Sequence, residues 1–273
     1  GGEQIRYTVV GDEQKQGKIY TLPLQTANNT MVLGDELSDK ALDEAVNALS
    51  FDPETAEASA RAHMFQAVSH YQKQQYDRAL TLIEQAIEMT PVEAADYPKI
   101  QAAYAEIQLK LHHPKDAAKA YENALNNPKQ FSAQQKKAVV PYFNRYAVAL
   151  YLVVQSGDWD ADKAARKLSD TLKGYADGEI RLESPELAMM WQLLGVLYQE
   201  AGQLDKAIQH LELAVRLQPQ SAEGQFNLGL AYEFHGEPER ALLHYRKAVY
   251  LNPKAREAVL AVERVERTQK ANG

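Results

Sequence analysis

The chain has no cysteine among its 273 residues, so it carries no disulfide framework, no thiolate metal site and no cysteine nucleophile, and its compartment cannot be read from redox chemistry. It also lacks any apolar run near the ~20 residues needed to cross a bilayer, which excludes direct membrane insertion by a helix. A basic excess is missing too: 30 Lys and Arg face 37 Asp and Glu, a net charge of -7, and this argues against nucleic acid as a partner. A basic peptide is electrostatically easier to accommodate. There is no Gly-x-x-x-x-Gly-Lys-Ser/Thr loop, no Gly-x-Gly-x-x-Gly and no Gly-x-Ser-x-Gly elbow, so neither nucleotide binding nor serine nucleophile chemistry has a local signature. A chain that begins Gly1-Gly2 without Met reads either as a cloning scar or as a mature chain whose leader has been removed. The second reading points to the bacterial envelope; the cytoplasm stays open.

What is present is repetition. Gly195, Tyr198, Gly202, Ala207, Ala214 and Pro219 recur as Gly229, Tyr232, Gly236, Ala241, Ala248 and Pro253, every pair 34 residues apart. Small, aromatic, small and proline landmarks at this period resemble the tetratricopeptide repeat family, whose unit is two antiparallel helices. The resemblance implies an all-α, right-handed superhelical solenoid of about five helix-turn-helix units and a binding scaffold rather than an enzyme. Ala67, Tyr71, Tyr76, Ala79, Ala86 and Pro91 fit a further unit. Ala105, Ala117, Tyr121 and Ala124 fit a degenerate one, in which His112 takes the loop-glycine place and Ala79 to Ala117 spans 38 residues. Ala147, Tyr151, Gly157 and Trp159 suggest another, with a small insertion before a second helix at 161–172. Ala67, Ala79, Ala86, Ala117, Ala124, Gly195, Ala207, Ala214, Gly229, Ala241 and Ala248 are the structural positions, where small side chains let two backbones approach closely.

Elsewhere local chemistry sets the elements. Residues 5–10 and 18–22 are β-branched and aromatic around a polar stretch at 11–17, which reads as a hairpin within an N-terminal arm over 1–34. Leu37, Ala41, Leu42, Ala45, Val46 and Leu49 have the spacing of a capping helix, and Asp52-Pro53-Glu54 the chemistry of a helix start. Ser132 and Gln135 can form a capping box opening a short helix, and Pro141 reads as the start of a new one. The resulting division is 35–172 for about three repeats, 173–184 for a connection that can serve as a hinge, 185–253 for two well-matched repeats and 254–273 for a capping helix and tail. In that last helix Ala255, Ala258, Val259, Val262 and Val265 form an apolar stripe opposite Arg256, Glu257, Glu263, Arg264 and Arg267.

Members of this family commonly hold a peptide or helix in the concave groove lined by their first helices, and one subclass grips a C-terminal carboxylate with Lys and Asn. The corresponding positions here are Arg61, Met64, Phe65 and Val68; Met189, Gln192, Leu193 and Val196; Glu223, Phe226, Asn227 and Leu230. The cationic grip is absent, which excludes that ligand. The resemblance instead assigns Met64, Val68, Tyr71, Asn144, Val148, Tyr151, Gln192, Phe226, Leu230 and Phe234 to a partly hydrophobic peptide-binding face. The alternative for Met64 and Phe226 is packing between repeats. The partner is another protein, with a homo-oligomer built on repeat stacking and the hairpin edge as the second reading. No cofactor or metal is implied: His210 and His244 repeat, and His63 and His70 share a helix face, without the further ligands zinc needs.

Overall fold

The computed structural model describes residues 4–8, 19–27, 30–33, 56–126, 128–176 and 180–272, so the expected helix over 37–49, the start at 52–54 and the turn at 11–17 lie outside it. Near the N-terminus run β1 (Gln4–Thr8), β2 (Ile19–Ala27) and β3 (Thr30–Leu33). They form one antiparallel sheet in the order β1-β2-β3, with Gln4 opposite Pro23, Thr8 opposite Ile19 and Leu24 opposite Leu33.

The chain divides into two compact units, residues 1–124 and 125–273. Helices α1 (Ala56–Gln72), α2 (Tyr76–Glu88), α3 (Tyr97–Lys110) and α4 (Pro114–Leu125) belong to the first. The second holds α5 (Ala133–Gln155), α6 (Ala161–Lys173), α7 (Ala188–Glu200), α8 (Leu204–Leu217), α9 (Ala222–Phe234), α10 (Pro238–Leu251) and α11 (Arg256–Asn272). No described helix is long and apolar enough to cross a membrane.

One turn is used five times among these helices. Gln74, His112, Gly157, Gly202 and Gly236 all have positive φ, between 61° and 86°. In each case the next residue donates its N–H five residues back, as Gln203 does to Tyr198 O (2.8 Å) and Gln75 to His70 O (2.9 Å). The αL residue itself bonds three residues back, as Gly202 does to Gln199 O (3.0 Å). This double bond closes the orphan carbonyls at a helix end, and its αL residue is most easily glycine. The second helices then repeat a small-large-small triplet: Ala79, Ile83 and Ala86 in α2, Ala117, Tyr121 and Ala124 in α4, Ala207, Leu211 and Ala214 in α8, Ala241, Tyr245 and Ala248 in α10, all buried. Positions i, i+4 and i+7 share one helix face, so each triplet is a stripe against the partner helix.

Two features differ from the sequence reading. Ser132 does cap Gln135 N, and Gln135 returns the bond to Ser132 N (2.9 Å), but the helix this box opens runs unbroken to Gln155 with Pro141 inside it. Proline removes one helical N–H; buried Val139, Phe143, Tyr146 and Leu150 around it supply the packing that carries the helix through. Second, Ala67, Ala105, Gly195 and Gly229 each stand seven residues before their αL residue, and in α5 that register position is Leu150 rather than Ala147. Both are fully buried.

Of the 173–184 connection, residues 177–179 lie outside the described residues. On one side Tyr175 is buried, meets Phe143 edge-on at 5.0 Å and donates to Leu125 O (2.9 Å). On the other Trp191 Nε1 donates to Leu182 O (3.0 Å). At the C-terminus α11 buries Ala258, Ala261 and Val265, while Val262 packs against the core formed by α8, α9 and α10. Glu263 and Arg267 pair at 3.7 Å on its outer face.

Candidate functional site

Counting back from each αL residue sorts the first-helix side chains by exposure. Ten residues before it stand Met64 in α1, Ala147 in α5, Gln192 in α7 and Phe226 in α9. Met64, Ala147 and Gln192 are buried; Phe226 is half-buried and lies 5.5 Å from the Tyr245 ring. Met64 belongs to the core of α1 and α2 with Ala60, Phe65 and Ala67, and Gln192 Nε2 donates to Glu223 Oε1 across to α9 (2.9 Å). These two side chains are committed to packing, the role weighed above for Met64.

Six residues before the αL residue stand Val68 in the first unit and Tyr151, Val196 and Leu230 in the second, all half-buried. Val148 and Tyr71 have the same intermediate exposure, and Tyr71 meets Tyr76 edge-on at 5.6 Å. Asn144 is tied on both sides of its amide: Nδ2 donates to Glu186 O (2.7 Å) and Oδ1 accepts from Met190 N (2.9 Å). It fastens α5 to the start of α7. Two residues before the αL residue the face opens, with Gln155, Glu200 and Phe234 in the second unit, Phe234 being 64% exposed. Met189, 43% exposed, stands eleven residues before Glu200, about three turns away on the same face of α7. The sequence reading passed over Glu200 and Gln155; their shared register with Phe234 was the available signal. At the C-terminal end Leu243 and Tyr250 of α10 and Leu260 of α11 are exposed as well.

The structural positions behave as small contact points. Ala67, Ala79, Ala86, Ala117, Ala124, Ala207, Ala241 and Ala248 are fully buried, and a Cβ on Gly195 would meet Leu211 Cγ at 2.6 Å, one on Gly229 Tyr245 Cδ1 at 2.6 Å.

The two repeated histidines are packing groups. His210 lies between Trp191 and Tyr198, with centroids 5.4 and 5.3 Å away and rings 15° from parallel. His244 stacks on Tyr232 at 5.5 Å, and its Nδ1 is hydrogen-bonded to Gln225 Oε1 (2.9 Å). So where Gln225 replaces Trp191, a hydrogen bond replaces a ring. Burial, then Lys206, lowers the pKa of His210; burial, then Lys247 and Arg240, lowers that of His244. Tyrosine hydroxyls tie the pairs together: Tyr121 to Glu106, Tyr232 to Glu212 and Tyr245 to Glu233. Burial first, then the Glu212 bond, drives the Tyr232 phenol upward. Burial pulls the Glu233 carboxyl up, but the bonds from Arg264 and Tyr245 outweigh it and the net shift is downward. These are the couplings of partly buried hydrogen-bonded pairs, and no three His, Asp or Glu among the described residues converge as a metal site.

Antiparallel helix pairs with a common turn, a common small-residue contact and hydroxyl ties define a helical-repeat protein. Family comparison names the class. A TPR repeat model matches residues 195–236, and two tetratricopeptide repeat models match 222–255 and 37–96, so the chain carries tetratricopeptide repeats. Its structure is similar to that of YrrB, described as a TPR protein with an unusual peptide-binding site, at 18% identity and TM-score 0.57 over 82% of this chain and 98% of that one. It is also similar to the apo form of RapI, at 15% identity and TM-score 0.61 over 80% of this chain and 59% of that one. PilF of Pseudomonas aeruginosa matches at 17% identity and TM-score 0.52, over 80% and 86%. At such identities the likeness is one of fold. No curated protein matches the chain by sequence. Tetratricopeptide repeat proteins generally mediate protein–protein interactions.

Proposed function

We propose that this protein is a non-catalytic adaptor that holds a peptide or amphipathic helix of another protein on the first-helix face of its repeats, in the assembly or stabilisation of a larger complex. The observation that carries the reading is the apolar surface that stacking leaves uncovered. In the second unit Val148, Tyr151, Phe226 and Leu230 are half-buried while Met189 and Phe234 are exposed, on the first helices α5, α7 and α9. In the first unit Val68 holds the position of Tyr151 and Leu230, and Tyr71, three residues before Gln74, is half-buried as well. Exposed apolar surface with polar surroundings is what an interaction site offers, and tyrosine, phenylalanine and methionine adapt to varied partners at modest entropic cost.

Affinity capture from native extract, with wild type beside Tyr151→Ala/Phe226→Ala, tests this. A partner held by wild type and lost by a variant with unchanged far-UV circular dichroism is the expected result. Retention of that partner by the folded variant would remove the face from the mechanism.

A further inference from the structure

The ends of α7 and α9 and the start of α8 enclose an open hollow of about 480 Å³, lined by Gln199, Glu200, Gly202, Leu204 and Phe234. All five belong to the second unit. Three of its properties are unequal to the needs of packing alone. Its lining is mostly apolar, with the Phe234 ring 64% exposed at one side. Gln199 Oε1 is buried with no hydrogen-bond partner among the described residues. The Glu200 carboxylate is exposed and is met only by a neutral donor, Gln155 Nε2 at 3.1 Å, among the described contacts. Beside Leu204 stands a second carboxylate, Asp205, 88% exposed, whose described partner is His235 at 3.1 Å.

An apolar floor with an unbalanced carboxylate at its edge is complementary to one kind of side-chain pair. We infer that this hollow is the socket for a basic partner segment: a large apolar or aromatic side chain enters beside Phe234 and Leu204, and a Lys or Arg farther along the segment meets Glu200. Phe234 adds a ring face on which a guanidinium can stack. The register sets the spacing. Glu200 and Phe234 occupy the same place on α7 and α9, and packed helices lie about 8–10 Å apart, the span of roughly three residues of extended chain. The segment therefore carries its cation about three residues from its apolar anchor. The assignment rests on the adaptor reading and specifies the partner's chemistry.

The test uses the full chain and three sets of labelled synthetic peptides: a Phe or Leu anchor with Arg three residues away, the same peptides with Glu for Arg, and the same with Ala for the anchor. Fluorescence anisotropy should show the first set binding and the other two at least about tenfold weaker, as expected when a central contact is lost. Glu200→Lys and Phe234→Ala should each weaken the first set by a similar factor, with the Glu200 effect shrinking at high salt, while Tyr250→Ala, on the exposed face of α10, leaves it unchanged. Equal binding of the Glu set, no binding by any set, or indifference to Glu200→Lys and Phe234→Ala overturns the socket. If those two variants are silent while Tyr151→Ala/Phe226→Ala still releases the native partner, the adaptor reading stands without it. If that release also fails, both fall.

Discussion

Gly229→Ala should destabilise this protein, although it replaces the poorest ordinary helix former with the best. In an open helix the exchange stabilises by about 1 kcal/mol. At Gly229 a Cβ would lie 2.6 and 2.7 Å from Tyr245 Cδ1 and Cε1 and 3.2 Å from Ala241 O. Carbon atoms need about 3.5–4.0 Å, so the ring must retreat by nearly 1 Å. It has little room: Tyr245 is fully buried, and its hydroxyl is tied to Glu233, which Arg264 holds in turn. Overpacking of this kind costs about 1–3 kcal/mol. The sum is a net loss of up to about 2 kcal/mol, up to about 3–4 °C in Tm for a chain of this size. The first unit shows how the same fold takes alanine: Ala67 faces Ile83, sixteen residues on as Tyr245 is from Gly229, and both are fully buried. Tyr245→Ile should accordingly relieve Gly229→Ala, with a coupling of about 1 kcal/mol in a double-mutant cycle read by urea and thermal melts. A higher Tm for Gly229→Ala, or a coupling near zero, would refute the argument that ring contact forces glycine here.

Two further outcomes follow from the turns and the stacked rings. Gln74→Gly and His112→Gly remove an αL strain of about 1–2 kcal/mol and return about 0.5–1 to unfolded-chain entropy, so each should stabilise by roughly 0.5–1 kcal/mol. Gly202→Ala, with open space around its Cβ, should lose about 1 kcal/mol from strain alone; a urea series in which Gln74→Gly lowers the midpoint would contradict the shared-turn account. Because the folded pKa values of His210 and His244 are lowered, the unfolded chain takes up protons first as pH falls past about 6.5. Their contribution is intact above that pH and is lost on the way down to the folded values. His210→Phe, which keeps a ring between Trp191 and Tyr198, should flatten the fall in urea midpoint between about pH 7 and 5, and an unchanged slope would show that His210 does not contribute to it.

Much of the repeat architecture was legible because it depends on local chemistry. A glycine at a helix end, an alanine every second turn of a stripe and a serine three residues before a glutamine act through their own backbone or nearest neighbours, so Gly202, Gly236, the Ala207 and Ala241 stripes and the Ser132 box could be read directly. Legibility failed where a neighbour decides. Gln74 takes αL geometry because the helices it joins require it, and nothing in its side chain announces it, while His112 was placed only by the register of its repeat. Pro141 ends helices in isolation, yet the packing of Phe143, Tyr146 and Leu150 carries α5 through it. The insertion after Gly157 hid the register that puts Leu150, not Ala147, at the small-residue position. The candidate face was legible as a set of positions but not as a surface: Met64 and Phe226 share a register, and only the neighbouring helices bury one and leave the other half open.

The amino-acid order by itself determined the unit, because a helix-turn-helix with a small-residue contact is written in spacings shorter than one repeat, over which the chain's own stereochemistry dominates. The tertiary structure alone decided which first-helix side chains stay available. Exposure is a property of what packs alongside, and that is why Gln192 disappears between α7 and α9 while Glu200 and Phe234, one helix end away, meet solvent.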